Sequence, residues 1–153
     1  MDNHITLTPD EVRMLYRSLR QIDFFADLTM PEIDCVIAEI KREQFKSGKT
    51  IVKQGQKGDC FYLISKGAVS VWLNTGLFRK KHIAQLKDGQ YFGEMALLDD
   101  QTRKATVIAE TDCEFYVLYR DRFWDTLMKN PSIDEKIRNI SKNRSKDNAK
   151  KTA

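Results

Sequence analysis

Between Arg42 and Tyr119 the chain returns again and again to one pattern, a short apolar or β-branched segment followed by a turn that carries glycine. The segments are Thr50–Lys53, Phe61–Ser65, Ala68–Leu73, His82–Leu86, Ala105–Ala109 and Glu114–Leu118. Turn signals stand at Ser47-Gly48, Gly55, Gly58-Asp59, Gly67, Thr75-Gly76 and Asp88-Gly89. Short strands at even spacing with such turns between them predict a sandwich, jelly roll or barrel. Val69, Val71 and Leu73 alternate with Ala68, Ser70 and Trp72, the period of a half-buried strand.

Helical patterns flank this region. Thr8-Pro9-Asp10-Glu11 reads as a capping box with proline at the first helical position, ahead of an apolar face of Val12, Leu15, Tyr16 and Leu19. Thr29-Met30-Pro31-Glu32 repeats the device before Ile33, Val36, Ile37 and Ile40. Helical spacing returns at Phe123, Trp124, Leu127 and Met128 and stops at Asn130-Pro131. A further box, Ser132-Ile133-Asp134-Glu135, is expected to open a last helix carrying Ile133, Ile137 and Ile140. Beyond Ile140 apolar residues almost vanish, so the tail is expected to fray. The expected fold is mainly β with flanking helices, arranged as one domain. Its parts are an N-terminal helical segment (1–28), a β jelly roll with adjoining helices (29–130), and a C-terminal helix with a basic tail (131–153).

A chain of 153 residues, 41% hydrophobic and 10% aromatic, can bury a core of its own. It holds no apolar run of the ~18 residues a membrane helix needs, and its start, MDNHITLTPDEV, has no signal-peptide character. A soluble, cytoplasmic chain is therefore expected. The net charge of +4 is uneven: Lys136, Arg138, Lys142, Arg144, Lys146, Lys150 and Lys151 against Asp147 give +6, leaving −2 for the rest. Cys35, Cys60 and Cys113 form no CxxC pair, and His4 and His82 are the only histidines. Neither a metal site nor a disulfide framework is suggested.

The stretch FGEMALLDDQTRKATV, residues 92–107, joins an apolar run to opposite charges. Gly93 tolerates positive φ and close approach of a ligand to the backbone. Met95-Ala96-Leu97-Leu98 would make one helical turn whose free N–H groups attract an anion. Arg103 offers a planar fork for paired phosphate oxygens. An ionised Glu94 only accepts hydrogen bonds, which suits sugar hydroxyls. Such parts describe a pocket for one ribose and one phosphate. A structural Glu94–Arg103 ion pair beside a buried turn is the alternative reading.

The spacing resembles the phosphate-binding cassette of the cyclic nucleotide-binding domain family. The family pattern F-G-E-x-A-L, then R-x-A-[ST], is met by Phe92, Gly93, Glu94, Ala96, Leu97, Arg103, Ala105 and Thr106. Upstream, Gly55, Gly58, Asp59, Tyr62, Ile64, Gly67, Val69 and Val71 match its G-x-x-G-D-x-x-Y-x-I-x-x-G-x-V-x-V stretch, and Gly89 its glycine before the cassette. The likeness spans roughly residues 24–130. It implies a non-catalytic sensor of a cyclic nucleotide. Glu94 would take the ribose 2′-hydroxyl and Arg103 the cyclic phosphate, with the N–H groups of Gly93, Ala96 and Ala105 and the adjoining Met95 completing the site. Val71 and Ile83 would line the base side, facing into the sandwich.

Lys104 departs from the family pattern, which often has Ala, Ser or Thr there, a hydroxyl being associated with guanine. Its absence favours cAMP over cGMP, although the Lys104 ammonium offers donors to guanine acceptors. Thr102 stands where proline is frequent, and Asp99 and Asp100 bring negative charge into the cassette. The resemblance also implies a lid. Leu97 and Leu98 would sense the ligand by exchanging partners among Phe123, Leu127, Ile137 and Ile140, and Arg144, then Asn148, would cover the base. The signal would pass to a protein partner or to an effector domain after the tail. About a dozen residues follow Ile140, too few for a DNA-reading helical unit, so specific DNA binding is not expected. Cupin-like metal chemistry needs clustered histidines, and His82 stands alone. A ligand-free interaction module of the same fold is the remaining possibility.

Overall fold

The glycine turns and apolar segments resolve into two four-stranded antiparallel sheets among the described residues, 6–99 and 101–140, of the computed structural model. In chain order the elements are α1 (Pro9–Leu19), a 3-10 turn (Asp23–Phe25), α2 (Met30–Ile37), β1 (Lys41–Phe45), β2 (Thr50–Val52), β3 (Cys60–Lys66), β4 (Ala68–Gly76), β5 (Arg79–Lys87), β6 (Tyr91–Phe92), a 3-10 helix (Glu94–Leu97), β7 (Thr106–Ala109), β8 (Cys113–Tyr119) and α3 (Arg120–Lys129). A last helix begins at residue 131. The chain divides into a β unit, Ile40–Arg120, and a helical unit, Thr6–Glu39 with the chain from Asp121.

In the β unit one sheet runs β1-β8-β3-β6 and the other β2-β7-β4-β5, a jelly-roll arrangement in which every pair of sequence neighbours except the β4–β5 hairpin crosses between layers. Inward residues of both sheets meet in one cluster that includes Ile64, Val69, Phe115 and Val117, all with no exposed surface. Burial of each stabilises the fold by about 1.5–3 kcal/mol. The Tyr62 and Phe92 rings stack at 5.0 Å, and Phe115 meets each of them edge-on. Phe61 and Leu63 are also buried, so β3 is covered on both faces and reads as a continuous apolar run rather than an alternating one. Gly67 at the β3–β4 turn has φ +117, and a Cβ there would lie 2.7 Å from the Asp112 carbonyl oxygen.

In the helical unit the first two of the three expected capping boxes form. Thr8 and Glu11 exchange hydrogen bonds at 3.2 Å in each direction, and Thr29 and Glu32 do so at 3.3 and 2.8 Å. Leu15, Leu19, Ile33 and Val36 are buried, and Phe24, Phe25 and Phe123 form a cluster of edge-on and tilted rings. The last helix starts two residues earlier than a Ser132 cap predicts, so the expected Ser132–Glu135 box does not cap it. The Asn130 carbonyl accepts from Ile133 and Asp134, both at 3.1 Å, because Pro131 lacks an N–H and its fixed φ suits the first helical position. The Ser132 hydroxyl instead donates to Glu32 Oε2 at 2.8 Å, and Lys136 Nζ donates to Glu32 Oε1 at 2.6 Å. Hydrogen bonding, from Lys136 most of all, holds the Glu32 carboxyl down at about 2.

Candidate functional site

Gly93 follows β6 with φ +79 and ψ 20, a left-handed corner that turns the chain into the Glu94–Leu97 helix. That corner and the 101–105 return segment line a cavity of about 230 Å³ in the β unit. Glu94, Met95, Arg103 and Lys104 supply its polar and flexible edge, and Val52, Val71, Phe92 and Val107 its apolar side. The return segment is laced to the glycine-bearing loop before β3. Gly55 N–H donates to the Arg103 carbonyl at 2.9 Å, Arg103 N–H to that of Gln56 at 2.7 Å, and Gly58 N–H to that of Gln101 at 3.2 Å. The backbone of Arg103 is therefore held from both sides.

Its side chain is held as well. Arg103 Nη2 donates to the Cys60 carbonyl at 2.7 Å, and the guanidinium carbon lies 5.8 Å from the centre of the Tyr62 ring. Two glycines give it room. A Cβ on Gly93 would stand 2.4 Å from Arg103 Nη1, and one on Gly58 would stand 3.1 Å from Nε. Among the described residues Arg103 enters no ion pair, and the Glu94 carboxylate makes neither an ion pair nor a hydrogen bond. The alternative of a closed Glu94–Arg103 pair is thus not realised. A fixed cation and an unengaged carboxylate face one small cavity with apolar walls, which suits a ligand carrying an anion, hydroxyls and a flat apolar part.

Gly93, Glu94, Met95, Ala96, Arg103, Lys104, Ala105 and Val71, all named from the sequence, line this cavity. The Ala96 N–H is already bonded to the Gly93 carbonyl at 3.1 Å, whereas those of Gly93 and Ala105 have no hydrogen-bond partner among the described residues. Ile83 is misplaced by the sequence reading. It is 47% exposed on β5 and does not line the cavity. The register slips between Val71 and Trp72 against β5, so Ala84 pairs with Val71, and Ala84 and Leu86 are the half-buried positions. Arg144 and Asn148, the expected lid residues, lie outside the described residues.

Two contributions escape a reading of the sequence. Cys60 offers its carbonyl to Arg103, while burial, the largest influence, pushes its thiol up to about 11. Arg120 reaches back from the first position of α3, and its Nη1 donates to the carbonyls of Gly58 at 2.9 Å, Asp99 at 3.0 Å and Ala96 at 3.3 Å. It ties the end of the cassette helix to the glycine loop. A cation at a helix N-terminus runs against the helix dipole, and that mismatch was the available signal. No group of three metal-ligating side chains occurs among the described residues, and none of their helices is long and apolar enough to cross a membrane.

Comparison with known proteins places these features in a family. The profile described as "Cyclic nucleotide-binding domain" matches residues 34–130. The chain is 32% identical over 111 residues to a cAMP-dependent protein kinase regulatory subunit of Colletotrichum orbiculare, covering 72% of this chain and 28% of that protein. It is 30% identical over 141 residues to human cGMP-dependent protein kinase 2, covering 90% of this chain and 18% of that protein. A solved structure, the regulatory domain of Toxoplasma gondii PKA with cAMP, superposes with a TM-score of 0.68 at 26% identity, covering 79% of this chain and 46% of the other. The chain thus spans less than a third of either sequence relative. With its jelly roll, its cassette and its profile match in agreement, the chain belongs to the cyclic nucleotide-binding domain family.

Proposed function

We propose that this chain is a non-catalytic sensor of a cyclic nucleotide, with cAMP preferred. One observation carries the reading. The Arg103 guanidinium is fixed by the Cys60 carbonyl and cleared by Gly58 and Gly93, yet has no carboxylate partner among the described residues, and Glu94 stands unengaged on the same cavity. A buried or half-buried cation kept without an internal anion favours an anionic guest. In this reading Arg103 takes the cyclic phosphate, assisted by the N–H groups of Gly93 and Ala105. Glu94 accepts from the ribose 2′-hydroxyl, and Val71 with its apolar neighbours receives part of the ring system.

The relatives' names point to both nucleotides, so the preference rests on Lys104. It is exposed at the cavity edge and has no hydroxyl to share with guanine. The binding segment proposed is 29–130, and the output runs through the C-terminal helix and tail, 131–153, to a protein partner or an attached effector. A ligand moves such an output only by binding one arrangement more tightly than the other. Isothermal titration of the folded chain with cAMP and cGMP tests the proposal. Micromolar or tighter binding of cAMP, lost in Arg103→Ala and in Glu94→Ala, is expected. Absence of heat with both nucleotides would leave the ligand-free interaction module in its place.

A further inference from the structure

The β4–β5 hairpin ends in a feature that the nucleotide site does not use. Gly76 pairs with Arg79, so Leu77 and Phe78 form the two-residue loop at its tip. Leu77 is 89% exposed and Phe78 101% exposed. Phe78 also takes φ +70, the single non-glycine residue with positive φ among those described. A turn of this kind ordinarily places glycine or asparagine there, and a bulky side chain is strained. The strain brings no packing in return. A local rule broken without local compensation points to an external partner.

Charge indicates which partner. Residues 67–87 contain no Asp or Glu, while Arg79, Lys80 and Lys81 follow the tip directly and Lys87 closes the strand. All four are exposed. Lysines on an edge strand such as β5 also discourage pairing with another chain, and that would explain the charge alone. It does not explain two adjacent apolar side chains at the tip. Apolar side chains that lead, with cations just behind them, match an interface whose surface is anionic and whose interior is hydrocarbon.

We propose that the β4–β5 tip is a peripheral contact for anionic lipid membranes, with Leu77 and Phe78 entering the headgroup boundary and Arg79, Lys80 and Lys81 meeting lipid phosphates. The test is co-sedimentation of the full chain with phosphatidylcholine vesicles, with and without about 30 mol% phosphatidylserine. Binding to the anionic vesicles alone is expected. It should weaken more than tenfold in Leu77→Ser/Phe78→Asn, and about a hundredfold in the triple variant Arg79→Gln/Lys80→Gln/Lys81→Gln. Asparagine accepts the left-handed conformation, so the first variant should melt no lower than the wild type. A Phe78→Trp variant should show blue-shifted emission on adding anionic vesicles. Wild-type chain left in the supernatant overturns the proposal, and so does pelleting that the tip variants do not alter, which would assign the contact to the basic tail. Unshifted emission from the tryptophan variant overturns it too. Cyclic nucleotide affinity, measured on the same variants, should stay unchanged whatever the cavity binds.

Discussion

Replacing Gly93 with alanine tests whether this glycine exists to make room for a guanidinium. Two costs follow from the structure. At φ +79 an alanine pays about 1–2 kcal/mol for the left-handed region. Its Cβ would also stand 2.4 Å from Arg103 Nη1, too close to coexist, so the guanidinium must leave the Cys60 carbonyl that it now meets at 2.7 Å. A hydrogen bond from a charged group contributes about 1.5–3 kcal/mol, of which an arginine free to move toward water recovers a part. The sum is about 2–4 kcal/mol, or a fall in Tm of about 4–16 °C for a chain of this size. The same displacement removes the proposed phosphate contact, and cAMP affinity should drop about ten- to a hundredfold. Gly58→Ala is the matched comparison. Gly58 lies outside the left-handed region and its Cβ would meet Arg103 Nε at 3.1 Å and the Ala96 Cβ at 3.2 Å, so only a slight shift is demanded. Thermal melts by circular dichroism and titration calorimetry should rank the two, with Gly93→Ala much the worse in both. A Gly93→Ala chain that binds cAMP as tightly as the wild type would refute the reasoning.

Other consequences can be measured independently. Glu32 keeps its charge down to about pH 2 in the fold, against a usual value of 4.5, so its contribution is complete above about 4.5 and is lost as pH falls toward 2. Glu32→Gln should therefore cost about 1 kcal/mol in urea melts at neutral pH, with the difference closing as the solution is acidified through that window. Cys60 and Cys113 are buried and Cys35 is only half-buried, so a thiol reagent should label Cys35 rapidly in the native protein and all three on denaturation. Fast native labelling of Cys60 would contradict its raised pKa. Lys104→Thr should raise cGMP affinity relative to cAMP by about two- to tenfold, read by paired calorimetric titrations, and an unchanged ratio would remove Lys104 from the selectivity argument.

The strands that announced themselves were those with apolar or β-branched residues between glycine turns. All of them are present, from Thr50–Val52 to Cys113–Tyr119. β1, Lys-Arg-Glu-Gln-Phe, carried no such signal, because it pairs on one side only and its polar residues stay half-exposed or exposed. β6 is two residues long, too short to show a period. The cavity's edge was legible because it is built from residue types in a fixed order: glycine for the corner, glutamate and arginine for opposite charges. What the order of residues does not encode is how distant backbone meets them. The Cys60 carbonyl under Arg103 and the Arg120 side chain across three carbonyls depend on tertiary placement. Ile83 failed for a related reason, since a one-residue slip at Val71/Trp72 reverses which side chains of β5 face inward.

The most direct measurement is a crystal structure of the chain grown with cAMP. Cyclic phosphate density is expected against the Arg103 guanidinium, beside Gly93 and Ala105, with the ribose 2′-oxygen within hydrogen-bonding distance of Glu94. A nucleotide bound elsewhere, or bound here with Arg103 turned away from its phosphate, would contradict the role given to the cavity.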